Sequence, residues 1–151
     1  MTSETRLCLR ILTAALMALL WAGSEAVTAE GEIAIIVNPS NSVSSVSTGD
    51  LHRLFLGDKS TWPNGKHVFV VMAAPGSAER EFVLKNIYKM SEPEYAKYFL
   101  QAAFTGTVSA PPKDAASAAE MKQIVAGNPG AIGYVKQQDV DGTVKTILKL
   151  P

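Results

Sequence analysis

The sequence predicts a mixed α/β domain, because short apolar runs rich in β-branched residues alternate with segments of helical periodicity. Three of the helical segments begin with the same kind of capping signal, a serine followed three positions later by an acidic residue. These pairs are Ser47 and Asp50, Ser91 and Glu94, and Ser117 and Glu120. Strands separated by helices form a mainly parallel or mixed sheet, which gives the fold class.

The first 29 residues have the composition of a cleavable export signal. Arg6 and Arg10 supply positive charge, and the apolar run at residues 11–21 is too short to span a bilayer comfortably. Residues 27–29 fit a small-residue cleavage site, with 24–26 as the second choice, and the alternative is a retained N-terminal anchor. We therefore expect a signal peptide at residues 1–29, a domain at residues 30–151 and a periplasmic location.

The first strand and helix of the domain are predicted at residues 32–37 and after Ser47. The strand is rich in isoleucine and ends at the polar run 38–41. Ser47 caps the helix, Gly57 ends it, and its apolar face is formed by Leu51, Leu54 and Phe55. Residues 58–66 contain turn dipeptides and are predicted to form a loop.

The central part of the chain is predicted to contain a strand, two helices and a second loop. The strand at 68–72 leads through a turn into a helix over 78–90, and Ser91 starts the next helix. The inner face of that next helix carries Tyr95, Tyr98, Phe99 and Ala102, a stripe that indicates a core. Residues 104–114 are predicted to form a loop.

The last part is predicted to contain a helix and two strands. Ser117 begins the helix, and the strand at 131–135 follows it. The dipeptide Asp141-Gly142 is typical of a hairpin turn and precedes the final strand at 143–148. A turn and a close strand approach explain the two glycines of this region, Gly130 and Gly133.

The charge and cysteine content exclude several classes of function. The chain has 14 basic and 14 acidic residues, and removal of residues 1–29 takes away two of each sign. A domain of zero net charge without a basic run is a poor partner for nucleic acid or an anionic membrane. The single cysteine, Cys8, lies in the predicted signal, so the mature domain has neither disulfides nor thiol chemistry.

The turn between the second strand and its helix has the geometry of an anion site. Gly76 permits a tight turn, and Ser77 caps the helix that follows. Free N–H groups at a helix start point at a ligand, and the helix dipole adds partial positive charge there. The same residues also fit an ordinary capped helix without a ligand.

Four segments match one known family in their order and spacing. They are residues 36–39 with 43–47, residues 54–57 with Trp62 and Gly65, Gly76-Ser77 with Arg80 and Phe82, and residues 129–135. Together they resemble the periplasmic phosphate-type substrate-binding proteins of ABC transporters, specifically their short single-lobe relatives. The resemblance implies a single lobe of a type II periplasmic-binding-protein-like fold, a mixed sheet flanked by helices, with phosphate at the helix start of Ser77.

Two departures from the family pattern lie beside the turn. The family often carries arginine three residues before the turn glycine, where this chain has Ala73, and Gly-Thr after the serine, where it has Ala78-Glu79. Loss of the arginine removes a bidentate contact, and Glu79 adds a like charge near the supposed anion.

The candidate ligand-binding residues are Gly76, Ser77, Ala78, Arg80, Ser44 and Ser45. Arg80 either turns towards the anion or faces solvent and pairs with a neighbouring acid. Ser44 and Ser45 either donate to an oxyanion or form turns ahead of the Ser47 cap. His52, predicted on an exposed helix face, and His67 lie on different elements, so no metal site is expected, and we expect neither catalytic residues nor a cofactor.

Two functions follow from these observations. The first is an exported binding module that recognises phosphate or a similar oxyanion for an ABC transporter. The alternative is a non-transport periplasmic interaction or sensor-accessory protein that keeps the fold but has lost anion binding. The expected partners are the oxyanion, an envelope membrane protein (a transporter or a sensor) and a second copy of the chain that rebuilds a cleft. A hydrolase is the weakest hypothesis, because the residues provide no nucleophile or metal constellation.

Overall fold

The computed structural model describes residues 31–151. The predicted signal peptide and its cleavage site therefore lie outside the described residues. Within the described part, no helix combines the length and the apolar character that crossing a membrane requires.

Strands and helices alternate through residues 31–151. The strands are β1 Ile33–Val37, β2 Phe69–Ala73, β3 Lys113–Ala115, β4 Ala131–Lys136 and β5 Lys145–Leu150. The helices are α1 Thr48–Leu56, α2 Ala78–Val83, α3 Glu92–Thr105 and α4 Ala118–Gly127. A π-helical turn, Leu84–Tyr88, continues α2, and a 3-10 turn, Gln137–Asp139, follows β4.

The five strands form one mixed sheet in the order β3-β2-β4-β1-β5. Strand β2 is parallel to both β3 and β4, and its Phe69 lies beside Ala131. Strand β1 is antiparallel to β4 and to β5, and its Val37 lies beside Ile132. This mixed sheet flanked by helices confirms the predicted fold class.

Helices cover both faces of the sheet, as neighbouring residues of β4 demonstrate. Gly133 faces Met121 of α4, whereas the ring of Tyr134 lies 6.4 Å from that of Phe55 in α1. Successive strand residues point to opposite faces, so α4 covers one face and α1 covers the other. Each residue of β1 is at most 3% exposed, as expected for a strand with helices on both sides.

The α1 face of the sheet carries the aromatic part of the core. Edge-to-face contacts join Tyr88 of the π-turn to Phe55, Tyr95 and Phe99, with ring centroids 5.0 to 6.1 Å apart. Tyr95 and Phe99 are buried and come from α3, which confirms that the predicted stripe on this helix is core.

Three element predictions were wrong. The helix predicted over 78–90 is α-helical only to Val83, passes through the π-turn and ends at Lys89, whose φ of 59° is left-handed. The predicted loop at 104–114 contains the end of α3 and the beginning of β3. β3 has only three residues, two of them charged and exposed, so it lacks the apolar pattern by which strands are predicted.

The third error concerns the connection at Asp141-Gly142, which was predicted to be a hairpin turn. Strands β4 and β5 are not neighbours, because β1 lies between them and pairs with both. Both strands are antiparallel to β1, so the connection runs from the amino end of β1, beside Lys136, to its carboxyl end, beside Lys145. Asp141 stabilises it locally by accepting hydrogen bonds from the backbone N–H and the hydroxyl of Thr143.

Two glycines in the turn before β4 and in β4 itself sit against neighbouring atoms. A Cβ at Gly130 would lie 1.9 Å from the carbonyl oxygen of His67. A Cβ at Gly133 would lie 2.5 Å from the Sδ of Met121 and 3.2 Å from a methyl carbon of Val125. The close neighbour of Gly133 is therefore helix α4, whereas the sequence suggested a strand.

We expect Gly133→Ala to lower the free energy of unfolding by about 1–3 kcal/mol, because the added methyl group overpacks the contact between β4 and α4. Denaturant unfolding measures the loss. Gly142→Ala is the matched control, since a Cβ there meets no atom within 4 Å. Equal stability of the two variants would contradict close packing at Gly133.

Candidate functional site

A cavity of about 140 Å³ lies where the parallel strands β2, β3 and β4 end. In open α/β sheets the carboxyl edge of the parallel strands is the usual place for a ligand. The cavity is lined mainly by the starts of α2 and α4 and by the end of β4, including Ala74, Ser77, Glu79, Ser117, Tyr134 and Lys136.

Ser77 caps α2 at one side of this cavity. Its Oγ accepts a hydrogen bond from the backbone N–H of Arg80 at 3.3 Å and donates one to the carbonyl oxygen of Ala74 at 2.8 Å. The hydroxyl proton is therefore already engaged. The amides of Ala78 and Glu79 have no carbonyl partner within the helix, as is usual for the first residues of a helix.

Ser117 caps α4 at the opposite side. Its Oγ accepts from the backbone N–H of Glu120 at 3.1 Å, and the Glu120 carboxylate accepts from the N–H of Ala116 at 2.8 Å. The starts of α4 and α2 thus share a serine cap, but the acid that bonds back to the backbone at α4 is replaced by Arg80 at α2. Both helices direct the positive end of their dipole towards the edge of the sheet that carries the cavity.

An ion pair between Glu79 and Lys136 forms part of the cavity wall. The Oε1 of Glu79 lies 3.1 Å from the Nζ of Lys136, and the two side chains are 26% and 39% exposed. A hydrogen bond with its own backbone N–H, followed by the interaction with Lys136, lowers the pKa of Glu79, although partial burial opposes both effects. Glu79 is therefore a carboxylate at ordinary pH.

Tyr134 forms the floor of the cavity. Its hydroxyl oxygen accepts a hydrogen bond from the backbone N–H of Ala73 at 2.9 Å. Burial raises the pKa of Tyr134 well above its ordinary value, so the phenol stays neutral. The tyrosine thus fixes the end of β2 without adding charge to the cavity.

Arg80 is buried, and the hypothesis that it faces solvent was wrong. The residue is 3% exposed and does not line the cavity. Its guanidinium donates to both oxygens of Glu92 at 2.6 to 3.1 Å, to Asp114 at 2.8 Å and to the carbonyl oxygen of Ala73 at 2.9 Å. The carbon of the guanidinium also lies 5.1 Å from the ring centre of Tyr95.

This cluster around Arg80 joins α2, α3 and β3. Burial by itself lowers the pKa of Arg80, but the hydrogen bonds to Glu92 and Asp114 outweigh burial and raise that pKa above its ordinary value. The predicted pairing with a neighbouring acid is thus present, although inside the fold. Every nitrogen of the guanidinium donates to the chain itself, so Arg80 supports the site from behind.

The structure does not bring the predicted ligand residues together. Ser77 lines the cavity, Ala78 lines an adjoining groove that also contains Glu79 and Lys136, and Gly76 lines a separate groove. Gly76 has a φ of 82°, the left-handed conformation that the predicted turn needs.

Ser44 and Ser45 belong to another part of the molecule. They are exposed and follow β1, whose carboxyl end lies beside the amino end of β4. The carboxyl end of β2 lies at the opposite edge of the sheet, because β2 and β4 are parallel. The two serines therefore do not line the cavity beside Ser77.

The two histidines also lie apart from the cavity. His52 is half-buried, and its Nδ1 lies 2.5 Å from the carbonyl oxygen of Ile87, so its predicted exposure was wrong. His67 is exposed two residues before β2 begins. Among residues 31–151 no three His, Cys, Asp or Glu side chains are grouped as a metal site would require.

Sequence reasoning missed Ser117 and Lys136 as neighbours of Ser77. The signal for Ser117 was present, since its capping pattern is of the same kind as those at Ser47 and Ser91. The signal for Lys136 appears only in the sheet, where the parallel register of β2 and β4 carries the end of β4 to the start of α2.

The fold is similar to that of solved phosphate receptors. An ABC-type phosphate transport receptor from Vibrio cholerae superposes with a TM-score of 0.57 at 23% identity, covering 78% of this chain and 46% of that chain. A phosphate ABC transporter substrate-binding protein with bound phosphate from Clostridium perfringens gives 0.62 at 20% identity, covering 78% and 45%. PstS from Borrelia burgdorferi gives 0.59 at 12% identity, covering 78% and 47%.

No protein-family model matches the sequence, and no curated protein sequence matches it either. The chain spans slightly less than half the length of the solved receptors to which it is similar. Residues 31–151 therefore have the fold of one part of a phosphate receptor of the ABC-transporter type, a mixed five-stranded sheet flanked by four helices.

Proposed function

We propose that this protein is a non-catalytic binding module that takes phosphate or a similar small oxyanion into the cavity between α2 and α4. The observation that carries the proposal is the convergence of two capped helix starts and Lys136 on one cavity at the carboxyl edge of the sheet. The likeness to phosphate receptors supports the same class of ligand.

The electrostatics of the cavity favour a small anion. The chain has no net charge, so attraction must come from local groups. Two helix starts supply partial positive charge, and Lys136 supplies a cation, which pairs with Glu79. The cavity is smaller than the roughly 300–1,000 Å³ of a typical organic-ligand pocket, which favours an inorganic ion over a larger solute.

The cellular setting of this function is an exported one. We propose that residues 1–29 direct the chain to the periplasm, where a single lobe presents its anion to a transporter or sensor in the envelope. Among the solved proteins of similar fold are an ABC-type phosphate transport receptor and a phosphate ABC transporter substrate-binding protein.

A second function is favoured by the carboxylate of Glu79, which pairs with Lys136 in the cavity. The chain also carries Ala73 at a position where the family that its sequence resembles often has arginine. In this second function the lobe keeps its fold, no longer binds an anion effectively, and docks on an envelope protein as an accessory subunit.

Titration of the purified protein with inorganic phosphate and with sulfate, followed by NMR and calorimetry, decides between the two functions. We expect saturable amide shifts confined to the cavity, at Ser77, Glu79, Ala118 and Lys136. Ser44→Ala is the control, because that serine lies away from the cavity. Absence of both heat and localised shifts at millimolar phosphate would exclude the binding module and leave the accessory protein.

A further inference from the structure

Glu79 is the one carboxylate among the described residues that line the cavity, and Lys136 is the one cation. Their 3.1 Å ion pair places a negative group where an incoming oxyanion would meet the lysine. Both side chains are partly exposed, so solvent can replace either partner when the pair opens.

The other polar side chains of the cavity are already engaged in holding the fold. The Ser77 hydroxyl bonds to Ala74 and Arg80, the Ser117 hydroxyl to Glu120, and the Tyr134 hydroxyl to Ala73. Using the Ser77 hydroxyl as a donor would break its bond to Ala74, whereas the Ser117 oxygen only accepts, so its hydroxyl can still donate to an anion, although it carries no charge. Lys136 is the charged donor that an anion can bind without breaking a contact that stabilises the fold. In the absence of an anion, the ammonium group of Lys136 forms an ion pair with Glu79.

Resting on the function proposed above, we infer that Glu79 is a built-in competitor: its carboxylate neutralises Lys136 in the empty cavity, and an external oxyanion binds there by displacing it. The exchange conserves the salt bridge of Lys136, because one oxygen anion replaces another. It also leaves a carboxylate close to the bound anion, and this like-charge repulsion weakens binding.

The competitor has a measurable effect on affinity. Two negative charges a few ångströms apart at a partly exposed site repel each other strongly enough to change a dissociation constant about tenfold. Removing the charge of Glu79 is therefore expected to tighten the binding of inorganic phosphate about tenfold. The gain depends on Lys136, which the substitution leaves without its internal partner.

The test compares the binding of inorganic phosphate by the unmodified protein, Glu79→Gln, Lys136→Met and the double variant. We expect Glu79→Gln to bind about ten times more tightly than the unmodified protein, and both variants with Lys136→Met to lose that gain. Glu81→Gln is the matched control, because Glu81 is an exposed acid of the same helix that does not line the cavity. Thermal unfolding of each variant verifies that the fold is retained.

The outcomes separate this inference from the proposed function. Equal phosphate affinity of Glu79→Gln and the unmodified protein would contradict the inference that Glu79 competes with the anion. It would still be compatible with the proposed binding function. A gain shared by Glu81→Gln would reduce the effect to net charge and would also contradict that inference. Absence of phosphate binding by every variant would remove the proposed function, and the competitor with it.

Discussion

Neutralising both acids that face Arg80, in the double variant Glu92→Gln/Asp114→Asn, is expected to lower the free energy of unfolding by about 3 kcal/mol. The amides keep the shape of the carboxylates but leave a guanidinium whose side chain is 4% exposed without a counter-charge. Each single variant retains one carboxylate, so we expect the double variant to lose more than the two single variants combined. Denaturant unfolding of the three variants measures this coupling.

Two further variants define what the Arg80 result means. Lys122→Gln breaks an ion pair whose acid is half exposed, and its loss should stay within about 1 kcal/mol. Arg80→Met removes the buried charge itself and leaves two half-exposed acids that water can solvate, so it should be less destabilising than the double variant. If the double variant lost only the sum of what the two single variants lose, the buried guanidinium of Arg80 would not need a carboxylate partner.

The same cluster gives the stability a pH dependence. The hydrogen bonds from Arg80, opposed in part by burial, lower the pKa of Glu92. A carboxyl group with a lowered pKa in the folded state stabilises the fold above its unfolded pKa of about 4.3, and this contribution disappears as the pH falls through the folded pKa. Stability should therefore fall on acidification below about pH 4.3, and less steeply in Arg80→Met.

The strands that form the core could be predicted from sequence because burial leaves a local signature. β1 and β4 are nearly continuous apolar runs, as expected for strands covered on both faces, and their predicted bounds differ from the observed ones by a single residue. β3 left no such signature. Its existence depends on pairing with β2, where Met72 lies beside Asp114, and pairing between distant segments is invisible in a local pattern.

Only those features of the candidate site that depend on consecutive residues could be predicted from the sequence. A serine after a glycine turn identified the start of α2, because capping is a property of a few consecutive residues. The partners of Arg80 lie 12 and 34 residues further along the chain, so its burial required the topology. The pairing of Glu79 with Lys136 likewise required the register of β2 and β4, which places the end of β4 beside α2.

After the variants of the Arg80 cluster, a substitution at Asn38 is expected to have the largest effect on the free energy of unfolding. It is 6% exposed at the end of β1, and its Nδ2 donates to the last carbonyl groups of α4, Val125 at 3.0 Å and Ala126 at 2.7 Å. Its Oδ1 accepts from the backbone N–H and the hydroxyl of Ser40. The amide therefore satisfies groups that a helix leaves unpaired at its end.

We expect Asn38→Asp to lower the free energy of unfolding at neutral pH by about 3 kcal/mol. The substitution turns a donor into a buried anion that faces two carbonyl oxygens at the negative end of a helix dipole. Burial and these carbonyls should raise the pKa of the new carboxyl group. A raised folded pKa means that the native state holds its proton more tightly, so the variant should regain stability as the pH falls towards 4.

This pH dependence is opposite in sign to that expected from the Arg80 cluster, which allows the two effects to be separated in one set of unfolding curves between about pH 3 and pH 8. Asn64→Asp is the control, because Asn64 is exposed and only accepts a hydrogen bond, from the backbone N–H of Lys66, which a carboxylate accepts equally well. If Asn38→Asp lost no more stability than Asn64→Asp at neutral pH, the amide of Asn38 would not be the link between β1 and the end of α4. Recovery on acidification in the first variant alone would identify the negative charge of the buried carboxylate as the cause.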